Sequence, residues 1–173
     1  EKGIYGPYRQ SDRREIYQTA AKYLTEKGFT YPSFVSEEEM AQIREEQEKA
    51  GVNTGYYGKW AKDRELTFEE IKDNLDAGKP WTLRLKSGGD PEVVMKFKDG
   101  IRGEINVRQN NLDVVILKQN GIPTYHFAHV VDDHFMRVTD VVRGEEWLST
   151  LPIHLELFFV MGWRRPNYNH TAH

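Results

Sequence analysis

The sequence predicts an α/β fold in which a mixed α+β segment interrupts a core of helices and buried strand. Three observations carry that expectation. Helix-start signatures recur up to residue 80, period-two alternation and turn signals fill residues 81–117, and an apolar strand followed by an apolar helix returns after residue 138.

Ser11 is placed to cap a helix that carries Ile16, Ala20 and Leu24 on one face and stops at Gly28. Ser36 with Glu39 has the form of a capping box, followed by Met40 and Ile43 at helical spacing. Gly51 to Asp63, rich in glycine and tyrosine, reads as a loop. Thr67 with Glu70 repeats the capping signature ahead of Phe68, Ile71 and Leu75, and Gly78-Lys79-Pro80 is the stop. Trp81, Leu83 and Leu85 alternate with Thr82, Arg84 and Lys86 as a half-buried strand would. Turn signals at Gly88-Gly89-Asp90 and Asp99-Gly100 bracket a strand from Val93 to Lys98. Further strands are expected at Gly103 to Val107 and Val114 to Leu117, the last closed by Asn120-Gly121. Val138 to Val142 reads as a buried parallel strand, and Glu145 to Val160 as a helix with Pro152 near its start. The stretch 167–173 shows no helix or strand closure, and the first methionine is Met40, so both ends read as cut.

A hydrophobic share of 38% beside 29% charged residues suits a soluble globular chain. The longest apolar stretch, Leu155 to Trp163, is broken by Glu156 and reads as a buried helix rather than a membrane span. No signal-peptide pattern opens the chain. The absence of cysteine excludes disulfides and thiolate–metal sites and agrees with a cytoplasmic location. A net charge of -3 argues against a surface basic throughout and leaves room for a local basic patch.

The densest polar cluster is Pro123 to His134, with three histidines and two aspartates. His126 and His129 at i, i+3 could share an ion with Asp132 or Asp133, which admits a metal-dependent hydrolase using His126, His129, Asp133 and His134. Against that, no H-E-x-x-H spacing is present, and the same residues can bond a substrate or cap elements. Arg143, at the carboxyl end of the expected parallel strand, lies where open α/β sheets bind ligands, and its planar fork suits a carboxylate or phosphate. An ion pair with Glu145 or Glu146 is the plain alternative. Arg13 and Arg14 at a helix start oppose the helix dipole, which points to an anion or to a solvated face. Asp99-Gly100-Ile101-Arg102-Gly103 is a turn presenting one arginine.

Taken in order, G-P-Y-R-Q-S-D-R (Gly6 to Arg13), Y-P-S-F-V-S-E-E-E (Tyr31 to Glu39), D-G-I-R-G (Asp99 to Gly103), D-V-V-I-L-K (Asp113 to Lys118), P-T-Y-H-F-A-H-V-V-D-D-H (Pro123 to His134) and V-V-R-G-E-E-W (Val141 to Trp147) resemble the bacterial-type class I glutamyl-tRNA synthetases over nearly the whole chain. The resemblance implies a partial Rossmann-type catalytic core, residues 1–29 and 119–173, with an inserted α+β domain that binds the tRNA acceptor stem at 30–118. It implies a parent that activates glutamate with ATP and Mg2+ and passes the glutamyl group to the 3′ end of tRNA(Glu). That parent is expected to be a cytoplasmic monomer with no membrane partner. Tyr125, His129 and Arg143 fall in the family's glutamate pocket, although many members carry Asn where His129 stands. Glu146 and Trp147 fall beside the adenosine of ATP, Asp133 near the reacting groups, and Arg44 and Arg102 against the acceptor strand. Relatives that hold zinc do so through cysteines near a Y-x-C-F-C region; here that stretch is Tyr31-Pro32-Ser33-Phe34-Val35, so no zinc or other resident metal is expected. The class's histidine-containing and K-x-S-K phosphate signatures are both missing, so the segment alone is expected not to catalyse. A non-catalytic paralogue that grips an acceptor stem is the rival within the family, and the hydrolase is the rival outside it.

Overall fold

The computed structural model describes residues 3–172. A 3-10 turn, Gln10–Arg13, leads into helix α1, Arg14–Glu26. Ser11 lies within that turn and its hydroxyl donates to Asp12 Oδ1 at 3.2 Å, so it does not cap the helix as expected. The cause is Arg13, which is buried and pinned by the Pro7 carbonyl and Asp132, so the chain enters α1 through the turn. Tyr17, Ala20, Ala21 and Leu24 give α1 its buried stripe.

Strand β1 is Thr30–Ser33 and helix α2 is Glu37–Ala50. The expected capping box at α2 is complete: Glu39 N–H donates to Ser36 Oγ at 3.1 Å and Ser36 N–H to Glu39 Oε2 at 2.8 Å. Two 3-10 turns occupy the glycine-rich connection, and helix α3, Phe68–Asp76, opens with its own capping box. The apolar side of α3 finds no core, with Phe68 80% exposed and Leu75 also exposed. Strand β2 is Thr82–Leu85, and its register shifts at Leu83/Arg84 against its neighbour. Strict alternation fails there: Leu83, Arg84 and Leu85 are all buried while Trp81 is exposed. Arg84 is tolerated inside because Nη1 donates to the Asp113 carbonyl at 2.8 Å and the guanidinium lies 4.2 Å from the Tyr56 ring centroid.

Strands β3, Val94–Asp99, and β4, Gly103–Arg108, form an antiparallel hairpin closed by the expected turn. Strand β5, Val115–Leu117, joins β2, giving a sheet in the order β1-β2-β5. Helix α4, Tyr125–Phe135, then leads to strand β6, Asp140–Gly144. Residues 145–150 form 3-10 structure and α5, Leu151–Met161, begins there, so the single helix expected from Glu145 is two pieces; Pro152 sits in the first turn, where its missing N–H is harmless.

The largest correction concerns the last residues. Asn167–Thr171 is strand β7, paired in parallel with β6, with Arg143 opposite His170. Tyr168 and His170 point inward and alternate with more exposed neighbours, a pattern hidden because the inward histidine counts as polar. β6 is less buried than expected, with Val142 68% exposed in a sheet that has two strands among the described residues. β6, α5 and β7 make one β-α-β unit. The main core runs from α1 through Leu85 and Ile116 to α4, α5 and Tyr168, and a smaller cluster gathers Tyr31, Tyr56 and Ala61.

Candidate amino-acid-binding site

The parallel register of β6 and β7 sets Arg143 beside His170, and the first turn of α5 brings His154 to the other side of the guanidinium. Arg143 Nε donates to His170 Nε2 at 2.9 Å and Nη1 to His154 Nδ1 at 3.0 Å. His154 Nε2 in turn lies 2.9 Å from His126 Nδ1, and His170 Nδ1 lies 2.6 Å from Asp99 Oδ2. The Tyr168 ring lies under the guanidinium, 4.8 Å from its carbon. Of the two ion-pair partners left open for Arg143, Glu145 and Glu146, the first is bonded to Arg102 instead.

Helix α4 supplies the facing wall. Tyr125 and His129, one turn apart, stack at 5.7 Å with 12° between planes, and Trp147 packs on Tyr125 at 4.8 Å. Tyr125 itself is exposed. Arg143 Nη2, His129 Nε2, Asp133 Oδ2 and Tyr168 Oη are buried and make no hydrogen bond. His129 Nε2 and Asp133 Oδ2 come within 3.1 Å but are misaligned for one, so proximity alone does not satisfy either. Buried polar atoms are almost always paired, so this group makes the surroundings of Arg143 a candidate ligand site.

Electrostatics here are shaped by burial beside a cation. Burial, then Arg143, pushes His129 down to about 4 and lowers His126, while His154 is held well below the usual imidazole range. Burial, then the neighbouring Asp132, lifts Asp133 to about 7. Asp99 goes the other way. Burial would raise it, but the Arg102 N–H, the His170 ring and the Ile101 and His170 N–H groups outweigh that and hold it at about 2.

Of the residues singled out in the sequence, Tyr125, His129, Asp133, Arg143 and Trp147 come together. Glu146 folds back on Gly144, where an added Cβ would meet its Oε2 at 2.0 Å. Arg102 donates through Nε to the His170 carbonyl at 3.2 Å, and Arg44 lies exposed on α2. The hydrolase set does not converge: His126 is engaged with His154, and His134 stacks on Trp163 at 3.9 Å. Among the described residues no group of three or more His, Cys, Asp or Glu side chains is arranged to hold a metal, and no helix is long and apolar enough to cross a membrane. Asp132 is structural, accepting from Arg13 Nε at 2.7 Å and Tyr17 Oη at 2.8 Å; the anion suspected near Arg13 is this carboxylate. Sequence reasoning missed Asp99, His154, Tyr168 and His170. The one available signal was His154 itself, a lone polar residue in an apolar helix. Cavities of about 830 and 490 Å3 lie elsewhere, around Arg13 with Trp163 and around Trp60 with Lys62. Arg13 Nη2 and Arg84 Nε are buried and unpaired too, so what sets off the surroundings of Arg143 is the number of such atoms contributed by Arg143, His129, Asp133 and Tyr168.

Residues 1–173 match the family of class I tRNA synthetases (E and Q), catalytic domain. The chain belongs to that family. It is 60% identical, over all of its length, to 32% of a glutamate–tRNA ligase from Acetivibrio thermocellus, and 54% identical over 98% of its length to 31% of one from Clostridium beijerinckii. A crystal structure of a glutamate–tRNA ligase from Elizabethkingia meningosepticum in complex with its amino acid superposes with a TM-score of 0.86 at 37% identity, covering 99% of this chain and 35% of that one. The chain thus spans about a third of the length of the relatives it matches. The class I synthetase family read from the motifs is the one these comparisons give, and the fold is that of its catalytic domain.

Proposed function

We propose that this chain carries the glutamate pocket of a glutamate–tRNA ligase. The parent activates glutamate with Mg2+-ATP, releases pyrophosphate, and transfers the glutamyl group to the 3′ end of tRNA(Glu). The observation that carries this reading is the buried, unpaired Nη2 of Arg143, whose guanidinium lies over the Tyr168 ring and acts electrostatically on His129. Glutamate differs from glutamine by a carboxylate in place of an amide. A guanidinium with an open donor meets the carboxylate with a charge-assisted bond that the amide cannot match. Tyr125 and His129 line the same pocket from α4. Asp133 lies toward the reacting groups, and Glu146 and Trp147 serve the nucleotide, with Trp147 against Tyr125 joining the two subsites. Residues 30–118 form the acceptor-stem insertion, with Arg44 and Arg102 on the acceptor strand, and the parent works as a monomer in the cytoplasm. The 173 residues alone do not form the adenylate, because neither phosphate signature of the class is among them.

Arg143→Lys in a full-length ligase carrying this segment tests the pocket. An ammonium keeps the charge but loses the fork. Losing one charge-assisted bond costs roughly 1.5–3 kcal/mol, so kcat/KM for glutamate should fall about tenfold to over a hundredfold while the ATP term holds. A normal glutamate term in a well-folded variant removes Arg143 from the pocket.

A further inference from the structure

We propose that His154 and His170 are positioning residues for glutamate specificity: they orient the Arg143 guanidinium through neutral acceptors, leaving its charge and its Nη2 edge for the substrate carboxylate. The proposal deepens the function above and rests on Arg143 lying in the glutamate pocket.

The argument starts from the donor inventory. A guanidinium only donates, so each imidazole nitrogen facing Arg143 must accept. His170 Nε2, 2.9 Å from Arg143 Nε, therefore carries no proton; its proton is on Nδ1 and is donated to Asp99 Oδ2 at 2.6 Å. His154 Nδ1, 3.0 Å from Arg143 Nη1, likewise accepts, so Nε2–H donates to His126 Nδ1 at 2.9 Å and the His126 proton is on Nε2. One arginine thus dictates three tautomers. Both supporting rings are 0% exposed, so water cannot replace them. Asp99 is itself held by the N–H groups of Ile101 and Arg102, each at 2.9 Å, which ties the β3–β4 turn to the direction of the guanidinium.

The choice of imidazole has a consequence. A carboxylate in the place of His154 or His170 would neutralise Arg143 and compete with the substrate for it. A neutral imidazole fixes the same geometry and keeps the Asp99 carboxylate one ring away from the guanidinium, so a ligand bearing a negative charge is favoured over its amide. The Tyr168 ring, 4.8 Å below, restrains the guanidinium plane without supplying an anion.

The two histidines meet Arg143 through different nitrogens, which makes the test crossed. An asparagine oxygen reproduces an Nδ1 acceptor, and a glutamine oxygen reproduces an Nε2 acceptor. In the full-length ligase, His154→Asn should keep kcat/KM for glutamate within about threefold and His154→Gln should lower it about tenfold or more. At the other ring the order inverts, with His170→Gln tolerated and His170→Asn impaired. The ATP term stays within about twofold in all four, since the nucleotide contacts are elsewhere. A merely structural role would rank the variants by stability, with glutamate and ATP terms falling together. An uncrossed pattern overturns the proposal, and so do unchanged glutamate terms in all four. Arg143→Lys run in parallel separates the failures. If it is impaired while the histidine variants are not crossed, only the positioning role is lost; if it is normal, the pocket assignment falls as well.

Discussion

Asp133 and His129 lie one helical turn apart and titrate in opposite directions, which gives a sign that can be measured. Asp133 holds its proton up to about 7 against an ordinary 3.8, so between those values the folded state binds a proton that the unfolded chain has released. Its contribution is most favourable at low pH and fades as pH rises through that window. His129, lowered from 6.5 to about 4, behaves inversely: the unfolded chain binds the extra proton, so stability rises with pH across that interval. The two slopes oppose each other below 6.5, and only the loss from Asp133 continues toward 7. Asp133→Asn removes that loss. At pH 8 the variant should be more stable by roughly 1–2 kcal/mol, with the gain shrinking toward zero at pH 4. Melting curves at the two pH values check it, and equal shifts at both would show that Asp133 ionises freely in the folded state. None of this was legible in the sequence, where the cluster holding His129 and Asp133 read as substrate contact or capping, with metal ligation the weaker alternative.

Among the elements, α5 carries an unusual burden for an apolar helix. His154 serves Arg143, while Glu156 accepts from Ser87 Oγ at 2.9 Å, Gly88 N–H at 2.9 Å and Asn110 Nδ2 at 2.7 Å. That carboxylate fastens the loop after β2 and the segment before β5 to the helix. Glu156→Ala leaves the Gly88 N–H and one Asn110 amide hydrogen without their acceptor, while Ser87 Oγ keeps the Asn110 carbonyl and Asn110 Nδ2 the Leu112 carbonyl, at a cost of about 2–4 kcal/mol. For a chain of this size that is a fall in Tm of roughly 5–15 °C. A change below 2 °C would mean that solvent takes over the bonds. The contrast with what the sequence disclosed is instructive here. Capping boxes at Ser36 and Thr67 are local, four-residue devices, and both formed as read. Glu156 registered only as an interruption of an apolar run, because its partners lie 46 to 69 residues away. β7 was invisible for the same reason: its inward His170 is satisfied by Asp99, 71 residues earlier, and no window of local periodicity contains both. Likewise the register shift that buries Arg84 depends on the Asp113 carbonyl from another segment.

At the scale of the whole molecule, the structure separates two arginines that the sequence treated alike. Both Arg44 and Arg102 are proposed to meet the acceptor strand, but their surroundings differ. Arg44 is exposed on α2, in the part of the chain organised around the smaller Tyr31–Tyr56 cluster. Arg102 bonds Glu145 and the His170 carbonyl, so it is tied to the strand that orients Arg143. In a full-length ligase carrying this segment, Arg44→Ala should therefore act on tRNA alone. Removing one phosphate contact lowers the slope of log affinity against log salt by about one unit and leaves glutamate and ATP terms unchanged. Arg102→Ala should act twice. It should weaken tRNA use, and by loosening His170 it should also raise the glutamate KM, by about threefold to tenfold if one hydrogen bond to the strand backbone is lost. Measuring tRNA affinity across a salt series beside glutamate kinetics at saturating ATP resolves the two variants. An unchanged salt slope in both would return these arginines to ordinary surface and structural roles. A glutamate defect in Arg44→Ala equal to that in Arg102→Ala would show instead that the two regions respond as a single unit, and that the contacts of Arg102 do not set it apart.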